Sequence, residues 1–141
     1  MTRARLDLDD LDGARRRQQQ AYPASKLATI LFTRELARRA GDTGVTAFAF
    51  HPGVVRTDIG RDSPVFRVLM NSWPGRAVPG PGRGADPMLH LATLADPQVL
   101  NGIYFSRLRP EDPAGEQARD PGLARQLWER SAALTGAPRR A

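Results

Sequence analysis

The segment from about Gln20 to Ala40 constrains the fold more than any other part of this 141-residue chain. It is rich in Ala, Leu and Arg and is followed by Gly41, a pattern that predicts an α-helix. At about 100° per residue, its apolar side chains cover most of the helix circumference: Ala24, Leu27, Ala28, Ile30, Leu31, Phe32, Leu36 and Ala37. A helix that is apolar nearly all round is buried on more than one side, so we expect other elements to surround it.

Only a narrow stripe of this helix stays polar in its first turns, formed by Tyr22, Lys26, Thr29 and Thr33. Because the rest of the helix is apolar, we expect this stripe to line a cleft. Tyr22 and Lys26 are four residues apart, which places a phenol and an ammonium on one helix face. A cation beside a tyrosine stabilises the phenolate, so this pair is suited to exchanging a proton with a substrate hydroxyl or carbonyl.

Lys26 is also the single lysine among 21 basic residues. Arg is a planar fork and Lys a compact point charge on a flexible stem, so a lone Lys indicates a position where the fork does not fit. The alternative is chance on a solvated helix face, because a Tyr-x-x-x-Lys spacing is common by itself.

The next apolar run, Val45 to Phe50, is nearly continuous, which is typical of a parallel strand covered on both faces. It ends at His51-Pro52-Gly53, where Pro and Gly stop strand pairing and let a backbone approach a ligand. Ligands of open α/β sheets lie beyond the carboxyl ends of strands.

The later part of the chain contains three more predicted elements. The pattern predicts a helix over 84–95 and a strand over 102–106. A last helix is predicted to start at Asp120 and Pro121 and to stop at Gly136, and its buried side chains are Leu123, Leu127, Trp128 and Leu134.

Residues 58–82 read as a loop with several Pro and Gly. Within it, Ser63-Pro64 can start a short helix whose apolar side chains include Phe66, Met70 and Trp73. These residues either form a flap that closes over a lipophilic substrate or pack the segment onto the body, and the sequence favours neither interpretation.

The predicted elements form an α/β fold with about two strands and three main helices. Two strands joined by a long crossover make a right-handed parallel unit, but they cannot cover the first helix or satisfy their own edges. We therefore expect the C-terminal part of a Rossmann-like doubly wound parallel sheet, with the N-terminal nucleotide-binding half missing. The whole chain, 1–141, is then one partial domain. It begins with a polar lead-in (1–19), followed by the catalytic helix with its strand and turn (20–57). A substrate flap (58–82) and a closing helix-strand-helix segment (83–141) complete it.

Composition excludes several classes of function. The chain has no Cys, so disulfides and thiolate metal sites are ruled out, and its two His, His51 and His90, lack the spacing of zinc ligands. No leader-like or membrane-spanning apolar run is present, which predicts a soluble cytoplasmic protein. The net charge of +6 raises nucleic acid as a partner, but the Arg clusters are short and scattered and lack interleaved aromatic residues, so we expect no nucleic-acid binding.

Several motifs together resemble the C-terminal half of a short-chain dehydrogenase/reductase, most closely the retinol dehydrogenase-like branch. They are Ala21-Tyr22 with Ser25-Lys26-Leu27-Ala28, the run 30–39, Val45-Thr46, His51-Pro52-Gly53-Val54-Val55-Arg56-Thr57, Gly102-Ile103-Tyr104-Phe105 and Leu127-Trp128-Glu129-Arg130-Ser131.

The resemblance implies hydride transfer between NAD or NADP and a small alcohol or carbonyl substrate. A lean to lipophilic alcohols or aldehydes comes from the apolar flap over 65–73. It makes Tyr22 the general acid/base and Lys26 the residue that stabilises the phenolate and binds the nicotinamide ribose. It also implies cofactor contacts at Pro52, Gly53, Val55 and Thr57.

The chain also departs from this family's pattern. The Gly-rich phosphate turn and the catalytic serine that precede the tyrosine in the family have no counterpart, since no Ser occurs before Ser25. We therefore expect the isolated chain to be nearly inactive. A non-catalytic remnant that binds a second copy or another protein through the exposed faces of its first helix and strand stays open as an alternative. A basic nucleic-acid-binding protein, which the charge pattern does not favour, is the third interpretation.

Overall fold

The computed structural model describes residues 4–15, 17–55, 78–113 and 115–137. Its helices and strands follow in the order α1 (Gln18–Ala40), β1 (Ala49–His51), α2 (Pro81–Gly84), α3 (Asp86–Ala92), β2 (Tyr104–Ser106), β3 (Arg109–Pro110) and α4 (Pro121–Thr135). Three short 3-10 turns lie at Gly41–Thr43, Pro97–Leu100 and Gln117–Arg119. The predicted α/β class is confirmed, and the predicted flap around Phe66, Met70 and Trp73 lies outside the described residues.

The three strands form one sheet in the order β1-β2-β3. The Gly102 amide donates to the Ala47 carbonyl at 2.9 Å and the Arg107 amide to the His51 carbonyl at 2.7 Å. These bonds advance in the same direction along both segments, so β1 and β2 are parallel, as predicted. The strands are shorter than the apolar runs suggested, and β3, which pairs antiparallel with β2, was not predicted. Its Pro110 is tolerated because β3 is an edge strand.

The described chain divides into two compact units. The first contains the described residues of 4–49, 96–104 and 111–137, and the second contains those of 50–55, 78–95 and 105–110. In the first unit α1 packs against α4 around a core of Leu6, Leu27, Leu31, Ala118, Ala124 and Leu127. Leu27 and Leu31 are one helical turn apart, so both point into this core. In the second unit Pro87, Leu91 and Phe105 are buried.

The ends of α4 are those that its sequence predicts. Asp120 Oδ1 accepts hydrogen bonds from the amides of Gly122 at 2.8 Å and Leu123 at 3.0 Å. Gly136 adopts the left-handed conformation, with φ of 66°, that stops a helix. The predicted burial was wrong for Leu134, which is 73% exposed, because α4 packs only its Ala124 and Leu127 face against the core.

A buried carboxylate forms hydrogen bonds within the last turns of α1. Glu35 is 2% exposed and accepts two hydrogen bonds from Arg38, at 2.9 and 2.7 Å, and one from Arg39 at 2.6 Å. The Arg39 guanidinium also lies 5.1 Å from the centroid of the Trp128 ring on α4. The two hydrogen bonds from Arg38 and the one from Arg39 lower the pKa of Glu35 from 4.5 to about 2. Their effect is larger than the opposing effect of burial, which raises the pKa.

Glu35 is expected to make the stability of this chain pH-dependent. Because its pKa is lower in the folded state, the ionised form stabilises the fold fully above about pH 5, and this contribution is lost as the pH falls towards 2. We expect a contribution on the order of 2 kcal/mol, reduced by solvent screening of the half-exposed Arg38. Urea denaturation between about pH 3 and 6 measures this contribution to the free energy of unfolding. The interval extends about one to two pH units to either side of the ordinary carboxyl pKa.

Two substitutions separate this effect from general acid sensitivity. Glu35→Gln should remove most of the pH dependence in that interval, while Glu129→Gln, at an exposed position of α4, should leave it intact. Equal slopes of unfolding free energy against pH in the wild type and in Glu35→Gln would contradict the assignment to Glu35.

Candidate active site

The side chains of Tyr22 and Lys26 meet on the exposed face of α1. The Lys26 Nζ atom lies 5.3 Å from the centroid of the Tyr22 ring, which is within the range of a cation–π contact. Tyr22 is 62% exposed and Lys26 is also exposed. The spacing of four residues therefore brings a phenol and an ammonium together, as the sequence predicts.

The neighbouring hydroxyl groups on this face bind carbonyls of the helix itself. Ser25 Oγ donates to the Tyr22 carbonyl at 2.9 Å, and Thr29 Oγ1 to the Ser25 carbonyl at 3.0 Å. Thr33 Oγ1 donates to the Thr29 carbonyl at 2.9 Å. Their donor hydrogens are committed to the backbone, so Tyr22 and Lys26 are the groups best placed here to exchange a proton with a substrate.

Of the polar stripe that the sequence predicts to line a cleft, Thr29 lines an open groove, and the side chains of Tyr22 and Lys26 lie outside that groove. Thr33 is buried, but Tyr22, Lys26 and Thr29 are exposed. The reason is that α1 is covered by α4 and the N-terminal segment on the side of Leu27 and Leu31, which is opposite to Tyr22 on the helix.

An open groove of about 440 Å³ lies in the first unit beside this face. It is mainly apolar, and two of its lining residues, Ala21 and Ser25, flank the Tyr22/Lys26 pair in sequence. The side chains of the pair are not part of its wall, which consists of Leu6, Asp10, Leu11, Asp12, Gly13, Ala21, Ala24, Ser25, Ala28, Thr29, Phe32, Leu127 and Ser131. Sequence analysis did not predict this groove because its wall joins residues more than 100 positions apart in the chain.

In the second unit, the Pro52-Gly53 turn directly follows β1. Gly53 has a φ of 83°, a conformation that favours glycine. A β-carbon added at Gly53 would lie 2.8 Å from Nε and 3.4 Å from Nη2 of Arg107. The Arg107 side chain therefore lies against the bare backbone of the turn. Sequence analysis missed Arg107, because one Arg among many carries no distinguishing signal.

Val55, the next predicted cofactor contact, packs beside α2 in the same unit. A β-carbon on Gly84 would lie 2.8 Å from Val55 Cγ1, so the absence of a side chain at Gly84 leaves room for Val55. Thr57 lies outside the described residues.

Comparison with known proteins identifies the family. A sequence model of the short chain dehydrogenase family matches residues 13–65. Human retinol dehydrogenase 13 is 38% identical over 146 aligned positions, which cover 93% of this chain and 41% of that protein. The chain belongs to the short-chain dehydrogenase family, in its retinol dehydrogenase-like branch.

Further short-chain dehydrogenases show the same partial coverage. Human retinol dehydrogenase 14 is 36% identical over 93% of this chain and 40% of its own length. A candidate daunorubicin C-13 ketoreductase, DnrU, of Streptomyces sp. (strain C5) is 41% identical over 96% of this chain and 46% of its own length. This chain thus spans less than half the length of these curated relatives.

A solved structure supports the predicted short-chain dehydrogenase fold. This is the crystal structure of a protein from Mycobacterium paratuberculosis. The match covers 97% of this chain and 47% of the other protein's chain, with a TM-score of 0.66 and 29% sequence identity. The fold is therefore α/β and corresponds to part of a Rossmann-like sheet. Within the residues that the structure describes, no helix is long and apolar enough to cross a membrane.

Proposed function

We propose that this chain carries the acid/base centre of an NAD(P)-dependent oxidoreductase that interconverts an alcohol and a carbonyl compound. The observation that supports this most directly is the approach of Lys26 Nζ to 5.3 Å from the centre of the Tyr22 ring, on an exposed helix face. The match to the short chain dehydrogenase family over residues 13–65 includes this pair, and the resemblance implies that Tyr22 exchanges the reaction's proton.

In the direction of carbonyl reduction, the Tyr22 hydroxyl donates its proton to the carbonyl oxygen. When bound, a nicotinamide cofactor would supply the hydride to the carbonyl carbon, or accept it in the reverse direction. Lys26 stabilises the phenolate left on Tyr22 through its positive charge and holds the nicotinamide ribose by a hydrogen bond. In alcohol oxidation the Tyr22 phenolate takes up the hydroxyl proton.

The residues after β1 fit a nicotinamide ligand. Gly53 has no side chain, and the Arg107 guanidinium occupies the space beside it, so a ligand at this turn would meet a cation. We assign Pro52, Gly53, Val55 and Thr57 as contacts to the nicotinamide and phosphate end of NAD or NADP.

We further propose a lipophilic alcohol, aldehyde or ketone as the substrate. The names of the relatives support this class, since retinol and daunorubicin are both large molecules with extended apolar parts. The segment carrying Phe66, Met70 and Trp73 supplies the apolar contacts in this proposal. Turnover by this chain alone should be slow, because its sequence contains no Gly-rich phosphate turn and no serine before the tyrosine.

A deuterium-transfer assay tests this function even at a slow rate. The purified chain is incubated with decanal and with NADH or NADPH in which both hydrogens at C4 of the nicotinamide are deuterium. We expect decanol that carries deuterium at its carbinol carbon, detected by mass spectrometry, in excess of a blank without protein. No excess with either cofactor would contradict the proposal.

A further inference from the structure

Arg107 is held against the end of β1 by contacts at both its backbone and its side chain. Its amide donates to the His51 carbonyl at 2.7 Å, and its guanidinium lies against Gly53. Its φ of 57° makes it the single non-glycine residue in the described chain with a positive φ. Such a backbone costs on the order of 1 kcal/mol for a residue with a side chain, so the surrounding contacts must hold this position.

The charge of Arg107 is available to a ligand. The residue is exposed, and among the described residues no carboxylate forms an ion pair with it. By contrast, Arg34, Arg119 and Arg130 all have acidic partners. An arginine without an acidic partner offers several N–H donors in a planar fork, a geometry that suits the oxygens of a phosphate.

The position of Arg107 also suits a ligand. It directly follows β2, and Pro52 directly follows β1, the parallel neighbour of β2. The carboxyl ends of adjacent parallel strands are where open α/β sheets bind their ligands. The Arg107 guanidinium, which lies against Gly53, therefore presents a cation at such an edge.

We infer that Arg107 binds the phosphate of the nicotinamide nucleotide at the Pro52-Gly53 turn. This inference rests on the proposed function, because it takes the turn to be a cofactor contact. It adds a phosphate-binding residue from the β2–β3 turn, far along the chain from the Tyr22 helix. The alternative source of a phosphate is the free ion, which the experiment below distinguishes.

The test compares two ligands that differ by one phosphate, reduced nicotinamide mononucleotide and reduced nicotinamide riboside, by NMR titration of the full chain. We expect the wild type to bind the mononucleotide about tenfold more tightly, the effect of one charge-assisted contact. Arg107→Gln should remove most of this preference. Arg109→Gln, which removes the same charge from an exposed residue of β3, should retain it.

A measurement without any substitution accompanies the variants. In the wild type, the Arg107 Nε–H resonance should shift with the mononucleotide and stay in place with the riboside. This result is decisive even where Arg107→Gln fails to fold.

The outcomes separate the two proposals. Equal affinity of the wild type for both ligands, or an unchanged preference in Arg107→Gln, overturns the role of Arg107 alone. Binding of inorganic phosphate as tight as that of the mononucleotide also overturns it, since the site is then one for a free ion. If neither nicotinamide ligand binds, the cofactor role of the turn fails and the inference fails with it.

Discussion

Replacing Tyr22 by phenylalanine is expected to slow deuterium transfer to decanal by about 100- to 10,000-fold, the usual contribution of a positioned general acid. The substitution removes one oxygen atom, so the ring and its contact with Lys26 are retained. The carbonyl oxygen then loses the phenol as its proton donor, and Ser25 Oγ, which already donates to the Tyr22 carbonyl, does not replace it. The rate of deuterated decanol formation, followed by mass spectrometry, measures the loss.

Tyr104→Phe is the matched control for this substitution, since the chain has only two tyrosines. Burial, and the nearby charge of Glu111, raise the pKa of Tyr104 above its ordinary value of 10.0. Its phenol therefore stays protonated near neutral pH and is a poor source of protons. We expect Tyr104→Phe to keep the wild-type rate. A Tyr22→Phe variant as fast as the wild type would exclude Tyr22 as the acid/base.

Leu31→Ala is expected to lower the free energy of unfolding by about 2–5 kcal/mol. Leu31 is fully buried, at 0% exposure, in the core between α1 and α4. Truncating it removes apolar contacts and leaves a cavity, since the surrounding helices relax only in part. Urea denaturation followed by circular dichroism measures the change.

Leu134→Ala makes the same chemical change on the exposed side of α4. Because Leu134 is 73% exposed, its truncation should alter the unfolding free energy by no more than about 0.5 kcal/mol. Equal destabilisation by the two substitutions would show that the core is not where the structure places it. A large effect of Leu31→Ala alone shows that packing on α4 holds the helix that carries Tyr22 and Lys26.

Local signals in the sequence predicted α1 and α4 best, whereas the predicted helix over 84–95 is two short helices, α2 and α3. Asp120 and Pro121 mark the start of α4 and Gly136 its end, because an N-cap carboxylate and a left-handed glycine act within a few residues of each other. The Tyr22/Lys26 pair was predictable for the same reason, since helix periodicity alone places them on one face. Strand lengths were overestimated because an apolar run shows burial and not where pairing begins.

Which side chains are buried, and which of them contact each other, was beyond such reasoning. Glu35 reads as an ordinary charged position of α1, and it is buried because Arg38 and Arg39 both hydrogen-bond to it. Arg107 resembles the other arginines until its contact with Gly53 is known. Both depend on where side chains lie once the chain has folded.

The sequence by itself determined the fold class, the family motifs and the common face of Tyr22 and Lys26, because each follows from local spacing or from residues in a set order. The tertiary structure alone decided which side of α1 is buried. Apolar residues surround that helix, so periodicity could not select a face, and the selection came from the packing of α4 and the N-terminal segment against Leu27 and Leu31. That packing leaves the Tyr22 and Lys26 side chains on the exposed face.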